Sequence, residues 1–338
     1  MKDVVRIRVE EPSQVGEARR LAVALARALN FQEIDIGKIA LQVTELGTNL
    51  VKHGEKGEII LRSLECLQIN GMEILALDQG PGIPDVPMSL QDGFSTRGSL
   101  GIGLGAIQRN ASFFDLYSLE GKGTVICTRF WADEAADTPP YRPLEVGAIQ
   151  FPKEEEEVCG DGWAVHQTPD RFLCIVADGL GHGEGAAEAA LLAIEHFRNH
   201  ASRQPGEILS LIHEGLRKTR GAAVVLAEID RSTGLLRFAG VGNISTRVAT
   251  PDGVRSFLSH NGIVGGPSFK SEEFTCPWNP EDVLILSTDG LKSRFDLDQY
   301  PGLLHHHPST IAAVLFRDYN RNMDDSTILV AKERRKHP

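Results

Sequence analysis

The residues from 74 to 83 read ILALDQGPGI and join an apolar run to a glycine-rich turn. Ile74 to Leu77 has the composition of a buried strand. Asp78 follows at the strand end, ahead of Gly80 and Gly82, which lack a Cβ and so allow a ligand to approach the backbone closely. A tight turn that contains aspartate is the plainer interpretation of the same letters. If the turn borders a ligand site, Asp78 can accept a hydrogen bond from an adenine amino group.

A helix that carries polar residues in line precedes this strand. Its apolar residues follow helical spacing, and Glu45, Asn49 and His53 lie four residues apart along one stripe beside them. Polar residues at this spacing usually form a solvated face. If the stripe faces a nucleotide, Asn49 offers an oxygen ligand for Mg²⁺, and Glu45 can orient or deprotonate the attacking group. His53 is interpreted as helix-end packing or capping and is left outside the predicted site.

A second glycine-rich segment follows the turn. Residues 97–107 read RGSLGIGLGAI and place glycine at 98, 101, 103 and 105, ahead of a helix predicted to start near Ala106. Backbone amides in such a loop and at a helix N-terminus can hold phosphates. The spacing differs from that of a Rossmann dinucleotide-binding loop, and no Walker A lysine follows it.

These three elements, in this order, resemble the GHKL (Bergerat-fold) ATPase superfamily. The N box is Glu45 to Asn49, the D-x-G-x-G box is Asp78 to Gly82, and the lid is Gly101 to Gly105. With DGFSTRGSLGIGLG and EGKGT, they look most similar to the RsbT-type switch-protein serine kinases over residues 1–131. The resemblance implies ATP and Mg²⁺ as ligands, with Glu45 as catalytic base, Asn49 as the Mg²⁺ ligand and Asp78 as the residue that recognises adenine. It also implies that the nucleotide is surrounded by the loop glycines Gly80, Gly82, Gly101, Gly103 and Gly105.

The chain is long enough for a second domain. Its 338 residues exceed the size at which a single core stops growing. The stretch ADEAADTPPYRP at 132–143 interrupts both helical and strand periodicity, and predicts a linker between domains at 1–131 and 144–338. A net charge of -11 argues against nucleic acid as a partner. Neither a signal peptide nor an apolar run long enough to span a membrane is recognisable, so a cytoplasmic protein is expected.

Strand and helix patterns alternate in both predicted domains. Val5, Ile7 and Val9 alternate with polar residues and predict a first strand, after which Ser13 is expected to cap a helix. Beyond the linker, apolar runs such as 172–177 predict many strands, with helices packed outside them. A two-domain α/β (α+β) protein is therefore expected.

Four aspartates beyond the linker stand at predicted strand ends or turns. They are Asp161 in CGDGW, Asp178 in VADGLGHG, Asp289 in STDGL and Asp324 in MDDST. A plain turn is the commoner explanation for any single Asp-Gly pair. If folding brings two carboxylates to about 4 Å, they repel by roughly 4 kcal/mol at an effective dielectric of about 20, and a divalent ion removes that penalty. All-oxygen sites suit Mg²⁺ or Mn²⁺, and a water that bridges two such ions can attack a phosphoester.

The same motifs resemble the PP2C phosphatases, in particular the short bacterial SpoIIE/RsbX type. CGDGW and VADGLGHG, with TRGAAVVL and VGNI further on, carry this resemblance over about residues 144–332. It implies an α-β-β-α sandwich in which Asp178 bridges two Mn²⁺ or Mg²⁺ ions and Gly179 ligates through its carbonyl. Asp161, Asp289 and Asp324 complete the implied site, and Asp325 is expected to be a neighbour rather than a ligand.

Several polar stretches near these motifs are left without a role. His182 could bind phosphate or protonate a leaving alkoxide, but an exposed turn histidine explains it equally well. The runs His305 to His307 and Lys153 to Glu157 are both interpreted as solvated loops.

The two resemblances together predict two opposed phosphoryl-transfer modules on one chain. The first module would phosphorylate a serine or threonine on a STAS-type switch protein of a bacterial partner-switching or stressosome pathway. The second would hydrolyse such phosphoesters. The alternative is a non-catalytic ATP-binding module that sequesters a partner, as an anti-sigma factor does, fused to an active phosphatase.

Overall fold

The computed structural model describes residues 4–66, 69–91, 103–133, 143–267 and 269–334. The helices are α1 (Pro12–Ala28), α2 (Glu33–His53), α3 (Val86–Ser89), α4 (Gly103–Asn110), α5 (Glu184–Asn199), α6 (Pro205–Leu216) and α7 (Pro308–Tyr319). The strands are β1 (Val4–Arg8), β2 (Glu58–Cys66), β3 (Ile69–Leu77), β4 (Phe113–Leu119), β5 (Gly123–Trp131), β6 (Leu144–Phe151), β7 (Asp161–Gln167), β8 (Arg171–Gly179), β9 (Ala222–Asp230), β10 (Leu235–Val241), β11 (Ser245–Thr250), β12 (Gly253–Phe257), β13 (Glu273–Pro277), β14 (Val283–Ser287) and β15 (Ser326–Glu333). Short 3-10 helices lie at Leu297–Gln299 and Leu303–His305.

Contacts divide the chain into two compact units. Unit one comprises Met1–Pro140 and Asp298–Arg317, and unit two comprises Tyr141–Leu297 and Asp318–Pro338. Unit one therefore includes a segment from far along the chain, Asp298–Arg317, which we call the return segment. The predicted boundaries at 131 and 144 remain predictions, because residues 134–142 of the predicted linker lie outside the described residues.

Unit one is built on an antiparallel sheet with strand order β1-β2-β3-β5-β4. Successive side chains of a strand point to opposite faces. On β3, Met72, Ile74 and Ala76 belong to a core that they share with α1 and α2. Both helices contribute apolar residues at helical spacing, such as Ile39 and Leu46, to this core.

The first helix begins without the expected Ser13 cap. Glu11 is the N-cap residue and Pro12 occupies the first helical position. Proline suits that position because it has no N–H to leave unpaired. The Gln14 side-chain oxygen accepts a hydrogen bond from the backbone N–H of Glu11 at 2.9 Å. The prediction for Ser13 was wrong because Pro12 sets the helix start two residues earlier than a Ser13 cap would.

The second face of the same sheet carries a buried ionic cluster. Glu73, in the middle of β3, is fully buried between Arg62 of β2 and Arg129 of β5. Its carboxylate accepts hydrogen bonds from Arg129 Nε at 2.9 Å and from Ser309 Oγ, at the start of α7, at 2.8 Å. Burial raises the pKa of Glu73, but the charges of the two arginines and the Ser309 hydrogen bond outweigh it, so the net pKa is lowered. Glu73 is therefore ionised in the folded protein.

Asp115 of β4 anchors the start of α7. Its carboxylate accepts hydrogen bonds from the His307 N–H at 2.8 Å, from Thr310 Oγ1 at 2.7 Å and from His306 Nδ1 at 2.8 Å. His307 is buried, and its Nδ1 accepts from the Ser309 N–H at 3.0 Å. Interpreting this histidine run as a solvated loop was therefore wrong for His306 and His307, whereas His305 is exposed. The residue that holds it lies some 190 positions earlier, beyond the reach of a local pattern.

The rest of the return segment also packs on this second face. Tyr117 Oη donates to the Pro301 carbonyl at 3.3 Å, and Lys122 Nζ lies 4.3 Å from the centre of the Tyr300 ring. Arg6 of β1 stacks over the Phe316 ring, with 5.2 Å between the guanidinium carbon and the ring centre. Apolar side chains on this face, such as Val125, are fully buried.

Unit two contains two five-stranded antiparallel sheets, ordered β13-β10-β9-β8-β7 and β12-β11-β14-β15-β6. Helices α5 and α6 pack on the first sheet over a core rich in alanine and leucine. A second core, which includes Phe172, Phe238 and Leu286, fills the space between the two sheets. The predicted two-domain architecture of mixed helices and strands is confirmed.

We expect Glu73→Gln to destabilise unit one by about 3–5 kcal/mol, because it leaves two guanidinium groups near a neutral amide in a buried place. Urea unfolding followed by circular dichroism measures the loss, and hydrogen exchange of β3 amides localises it to unit one. The matched control is Glu214→Gln, which removes an exposed carboxylate paired with Arg217 and should cost less than about 1 kcal/mol. Equal effects of the two variants would contradict a buried anchoring role for Glu73.

Candidate functional sites

A cavity of about 370 Å³ opens in unit one beside the D-x-G-x-G turn. This volume lies within the range usual for small-molecule pockets. Its walls are mostly apolar, with Leu46 and Leu50 of α2 and Ile126 of β5 among them, and its polar residues include Asn49, Asp78 and Thr124. The full lining is Leu46, Asn49, Leu50, His53, Gly54, Ala76, Asp78, Pro81, Gly82, Ile83, Pro84, Asp85, Ser89, Gly103, Leu104, Thr124 and Ile126.

Asp78 lies directly after β3 at the wall of this cavity. Its N–H donates to the Thr124 carbonyl at 3.0 Å, and its Oδ1 accepts from the Gly80 N–H at 2.8 Å. Burial raises the pKa of Asp78, although the Gly80 hydrogen bond and the charge of Arg317 offset part of the rise. One carboxylate oxygen is thus held by the turn itself, and the second can serve a ligand.

Two glycines make the close packing of this turn possible. Gly82 has φ +79°, and a Cβ on it would lie 2.5 Å from the Leu119 carbonyl oxygen. Gly123 has φ +88°, and a Cβ there would lie 2.1 Å from the Asp78 carbonyl oxygen. Any other residue at Gly123 would displace the Asp78 backbone, and any other residue at Gly82 would displace the turn from the end of β4.

The predicted nucleotide residues are distributed unevenly around the cavity. Asn49, Asp78, Gly82 and Gly103 line it, together with His53, which the sequence analysis left outside the site. Glu45 lies one helical turn before Asn49 on α2 and is not among the lining residues. Gly80 supports Asp78 from the turn, Gly105 is buried within α4, and Gly101 lies outside the described residues.

The aspartates of unit two meet at the ends of its two sheets. Asp161 of β7 and Asp178 of β8 are directly opposite each other in the antiparallel pair. Asp289 follows β14 and Asp324 precedes β15, and these two strands are also paired. Three of them, Asp178, Asp289 and Asp324, line a cavity of about 380 Å³, and Asp161 is not among its lining residues. The full lining is Lys153, Asp178, Leu180, Gly181, His182, Ala223, Gly242, Asn243, Asn261, Gly262, Ile263, Asp289 and Asp324.

Mutual repulsion shows in the electrostatics of these carboxylates. Burial, followed by the charges of Asp289, Asp324 and Asp325, raises the pKa of Asp178 to about 7. Burial and then the Asp178 charge raise the pKa of Asp161 well above its ordinary value. Burial and the Asp324 charge also raise the pKa of Asp289, although the charge of Arg321 and the Asn243 hydrogen bond offset part of the rise.

The donor set fits hard divalent cations. Asp161 Oδ1 and Asp325 Oδ2 are buried and have no hydrogen-bond partner among the described residues. Carboxylate and carbonyl oxygens are the ligands that Mg²⁺ and Mn²⁺ prefer. Within the described ranges, however, no three His, Cys, Asp or Glu side chains are arranged so as to hold a metal ion. Of the predicted ligands, Asp178, Asp289 and Asp324 line the cavity, whereas Asp161, opposite Asp178, and Gly179, at the end of β8, do not. The ligand roles of all five remain predictions.

The two regions of the chain match two protein families. Residues 9–130 match the histidine kinase-like ATPase domain, and residues 168–334 match stage II sporulation protein E (SpoIIE). The serine/threonine-protein kinase RsbT of Bacillus subtilis (strain 168) is 36% identical over 131 residues, which are 39% of this chain and 98% of RsbT. The chain belongs to the RsbT family.

The C-terminal region has relatives of its own. The phosphoserine phosphatase RsbX of Bacillus subtilis (strain 168) is 27% identical over 149 residues, 44% of this chain and 75% of RsbX. A solved structure described as "The bacterial stressosome: a modular system that has been adapted to control secondary messenger signaling" is 30% identical, with a TM-score of 0.52, over 56% of this chain and 99% of that one. The RsbT-type region is therefore followed by a SpoIIE/PP2C-type phosphatase domain. The predicted enzyme class, a PP2C-type serine/threonine phosphatase joined to a kinase-like domain, is confirmed.

Several polar residues at or near the aspartate-lined cavity of unit two were not predicted from the sequence. Asn243 Nδ2 donates to Asp289 Oδ2 at 2.7 Å, and Thr288 Oγ1 donates to Asp161 Oδ2 at 2.8 Å. His182 Nδ1 lies 2.6 Å from Glu156 Oε1, inside the charge run that was interpreted as a solvated loop. The motif VGNI contains Asn243, but the local sequence does not show which carboxylate it would face.

The RsbT-type cavity also has a polar residue that was missed. Thr124 lines it, and Thr124 Oγ1 is 2.9 Å from Ser118 Oγ. Its only signal in the sequence was its place at the end of EGKGT.

No helix in the described part of the chain is long and apolar enough to cross a membrane.

We expect Asp78→Asn to weaken ATP binding by about 5- to 150-fold, the loss that follows when a buried hydrogen bond worth about 1–3 kcal/mol is replaced by an unsatisfied contact. In the variant, the Gly80 N–H would still donate to the side-chain oxygen of residue 78. The side-chain NH2 would then face the adenine amino group, and two donors cannot form a hydrogen bond with each other. Titration with non-hydrolysable ATP and GTP analogues measures the effect, and GTP affinity should not fall. Asp35→Asn, at a surface pair with Lys38, is the control. Unchanged ATP affinity in Asp78→Asn would remove Asp78 from this role.

Divalent metal binding should weaken as the pH falls below about 7, where Asp178 takes up a proton. A ligand must lose its proton before it binds, so the apparent affinity for Mn²⁺ should drop by up to about tenfold per pH unit for each proton displaced. The Mn²⁺-induced rise in melting temperature measures this, because a ligand of the folded state stabilises it. We expect a larger rise at pH 8 than at pH 6, and little rise at either pH in Asp178→Asn. An equal rise at both pH values would contradict the assignment.

Proposed function

We propose that this protein is a bifunctional regulator of a bacterial partner-switching pathway. Its RsbT-type unit phosphorylates a serine or threonine on a STAS-type switch protein, using ATP and Mg²⁺. Its SpoIIE-type unit removes phosphate from such a protein with the help of two Mn²⁺ or Mg²⁺ ions. The observation that carries the proposal is the presence, on one chain, of an adenine-sized cavity bounded by Asp78 and Asn49 and of an aspartate-lined cavity bounded by Asp178, Asp289 and Asp324. The cytoplasm, where ATP is available, is its proposed location.

In the kinase reaction, the residues of α2 and of the D-x-G-x-G turn have separate tasks. Asp78 binds the adenine amino group, and the apolar walls around it exclude water from the base. Asn49 would hold Mg²⁺, whose charge offsets that of the phosphates. Glu45, one turn away on the same helix face, accepts the proton of the incoming hydroxyl. The acceptor hydroxyl comes from the partner protein.

In the phosphatase reaction, the aspartates supply a concentrated negative field for divalent ions. Asp161, Asp178, Asp289 and Asp324, with the Gly179 carbonyl, would hold the ions, which when bound make water acidic enough to attack at neutral pH. Asn243 and Thr288 fix the orientation of two of these carboxylates by the hydrogen bonds that they donate. Hydrogen-bonded supports of this kind keep ligands in place before the ion arrives.

Transfer of labelled phosphate tests both halves of the proposal. The full chain carrying Asp178→Asn is incubated with a STAS-domain protein and γ-labelled ATP, so that added phosphate is not removed. We expect label to accumulate on the partner, less label with the wild-type chain, and none when Glu45→Gln is added to Asp178→Asn.

Two outcomes would separate this function from its alternatives. Absence of label on the partner with Asp178→Asn, while ATP still binds, would leave the RsbT-type unit as a non-catalytic, anti-sigma-like binding module. Failure of the wild-type chain to release phosphate from a phosphorylated partner in the presence of Mn²⁺ would refute the phosphatase half. Each half is thus tested without relying on the other.

A further inference from the structure

The turn that carries Asp78 is held by a residue from the return segment. Arg317, in the last turn of α7, donates from Nη1 to the Asp78 carbonyl oxygen at 2.9 Å. The neighbouring Gln79 returns the contact, because its Nε2 donates to the Arg317 carbonyl oxygen at 3.3 Å. The last carbonyls of a helix have no partner inside the helix. Gln79 therefore satisfies the end of α7 while Arg317 satisfies the end of β3.

These two hydrogen bonds complete a set that fixes Asp78 from several sides. The Asp78 N–H is bound to the Thr124 carbonyl, its Oδ1 to the Gly80 N–H, and the Gln79 N–H to the Glu55 carbonyl at 2.8 Å. Arg317 is the partner that the structure shows for the Asp78 carbonyl. Without it, the peptide between Asp78 and Gln79 would be held through the Gln79 N–H but not through its carbonyl. Its plane, on which the direction of the Asp78 side chain depends, would then be less firmly fixed.

We propose that Arg317 is a positioning residue for nucleotide recognition, so that the ATP site of the RsbT-type unit is completed by a residue from the C-terminal part of the chain. The inference rests on the proposed ATP site and adds a residue that lies outside residues 9–130, the region matched to the ATPase domain. Arg317 acts through Asp78 and does not itself line the cavity.

The charge of Arg317 acts in the same direction as its hydrogen bond. Burial raises the pKa of Asp78, the Gly80 N–H and Arg317 lower it, and Glu55 raises it slightly. Asp78 accepts a hydrogen bond from adenine more strongly when it is ionised, because a charged acceptor makes the stronger bond. Loss of Arg317 would therefore raise the pKa of Asp78 further and move the acid limit of ATP binding to higher pH.

Binding of non-hydrolysable ATP and GTP analogues to full-length variants tests this role. We expect Arg317→Gln to weaken ATP binding by about fivefold or more, an effect of the size expected from losing a charge-assisted hydrogen bond to the turn. GTP binding should change less, and the pH at which ATP binding is half lost should rise. Arg317→Lys, which keeps the charge, should restore part of the affinity. Arg217→Gln, an exposed arginine that pairs with Glu214, is the control and should bind as the wild type does.

A double variant separates positioning from general packing. If Arg317 acts through Asp78, the double variant Asp78→Asn/Arg317→Gln should have the same ratio of ATP to GTP affinity as the single variant Asp78→Asn. Equal losses of ATP and GTP affinity in Arg317→Gln, with no shift in the pH profile, would overturn the proposal, as would wild-type affinity in that variant. If Asp78→Asn weakens ATP binding and Arg317→Gln does not, this inference alone is overturned. If neither variant weakens ATP binding, the proposed ATP site is overturned as well. Circular dichroism of each variant confirms that it is folded.

Discussion

The ionised Glu73 carboxylate at the centre of the unit-one sheet sets the strongest constraint on that unit. A buried charge is tolerated only when it is paired and hydrogen-bonded. Arg62 and Arg129 supply the charge from the neighbouring strands, but their side chains and Glu73 need a further cover to be excluded from water. The return segment provides it, and Ser309 adds the hydrogen bond that completes the cluster. The sheet can therefore carry ions on one face because a distant part of the chain closes that face.

The same cover fixes the direction in which α7 runs across the sheet. Asp115 binds the start of the helix, and the Asp78–Gln79 peptide binds its end. Between them, the Phe316 ring lies against Arg6. A helix fastened at both ends has little freedom to slide. The geometry of the turn that carries Asp78 therefore depends on the packing of the return segment. Polar contacts hold the two ends of α7, and the contact between Phe316 and Arg6 lies between them.

Chemistry that is written into short motifs was readable from the sequence. The strand-turn that carries Asp78 and the four aspartates at strand ends lie where local patterns placed them, because a strand followed by Asp-Gly has few ways to fold. Residues such as Thr124 and Asn243 were missed because their partners, Ser118 and Asp289, are set by strand pairing and loop packing rather than by spacing. The roles of His307 and Arg317 could not be predicted from the sequence because their partners are much more distant along the chain. Their partners on β4 and β3 are some 190 and 240 positions away, and no periodicity within α7 indicates which sheet it will cover.

The return segment also has a consequence for the order in which the protein is made. The five strands of the unit-one sheet are complete once Trp131 has been synthesised. The segment that covers their second face begins only at Asp298, which is 167 residues later. At about 5–20 residues per second, a ribosome needs roughly 8–33 s to cover that distance. During this interval the sheet has one finished face and one face with arginines, a glutamate and apolar side chains still open to water. The unit-one sheet is therefore covered only after the unit-two strands β6 to β14 have been synthesised.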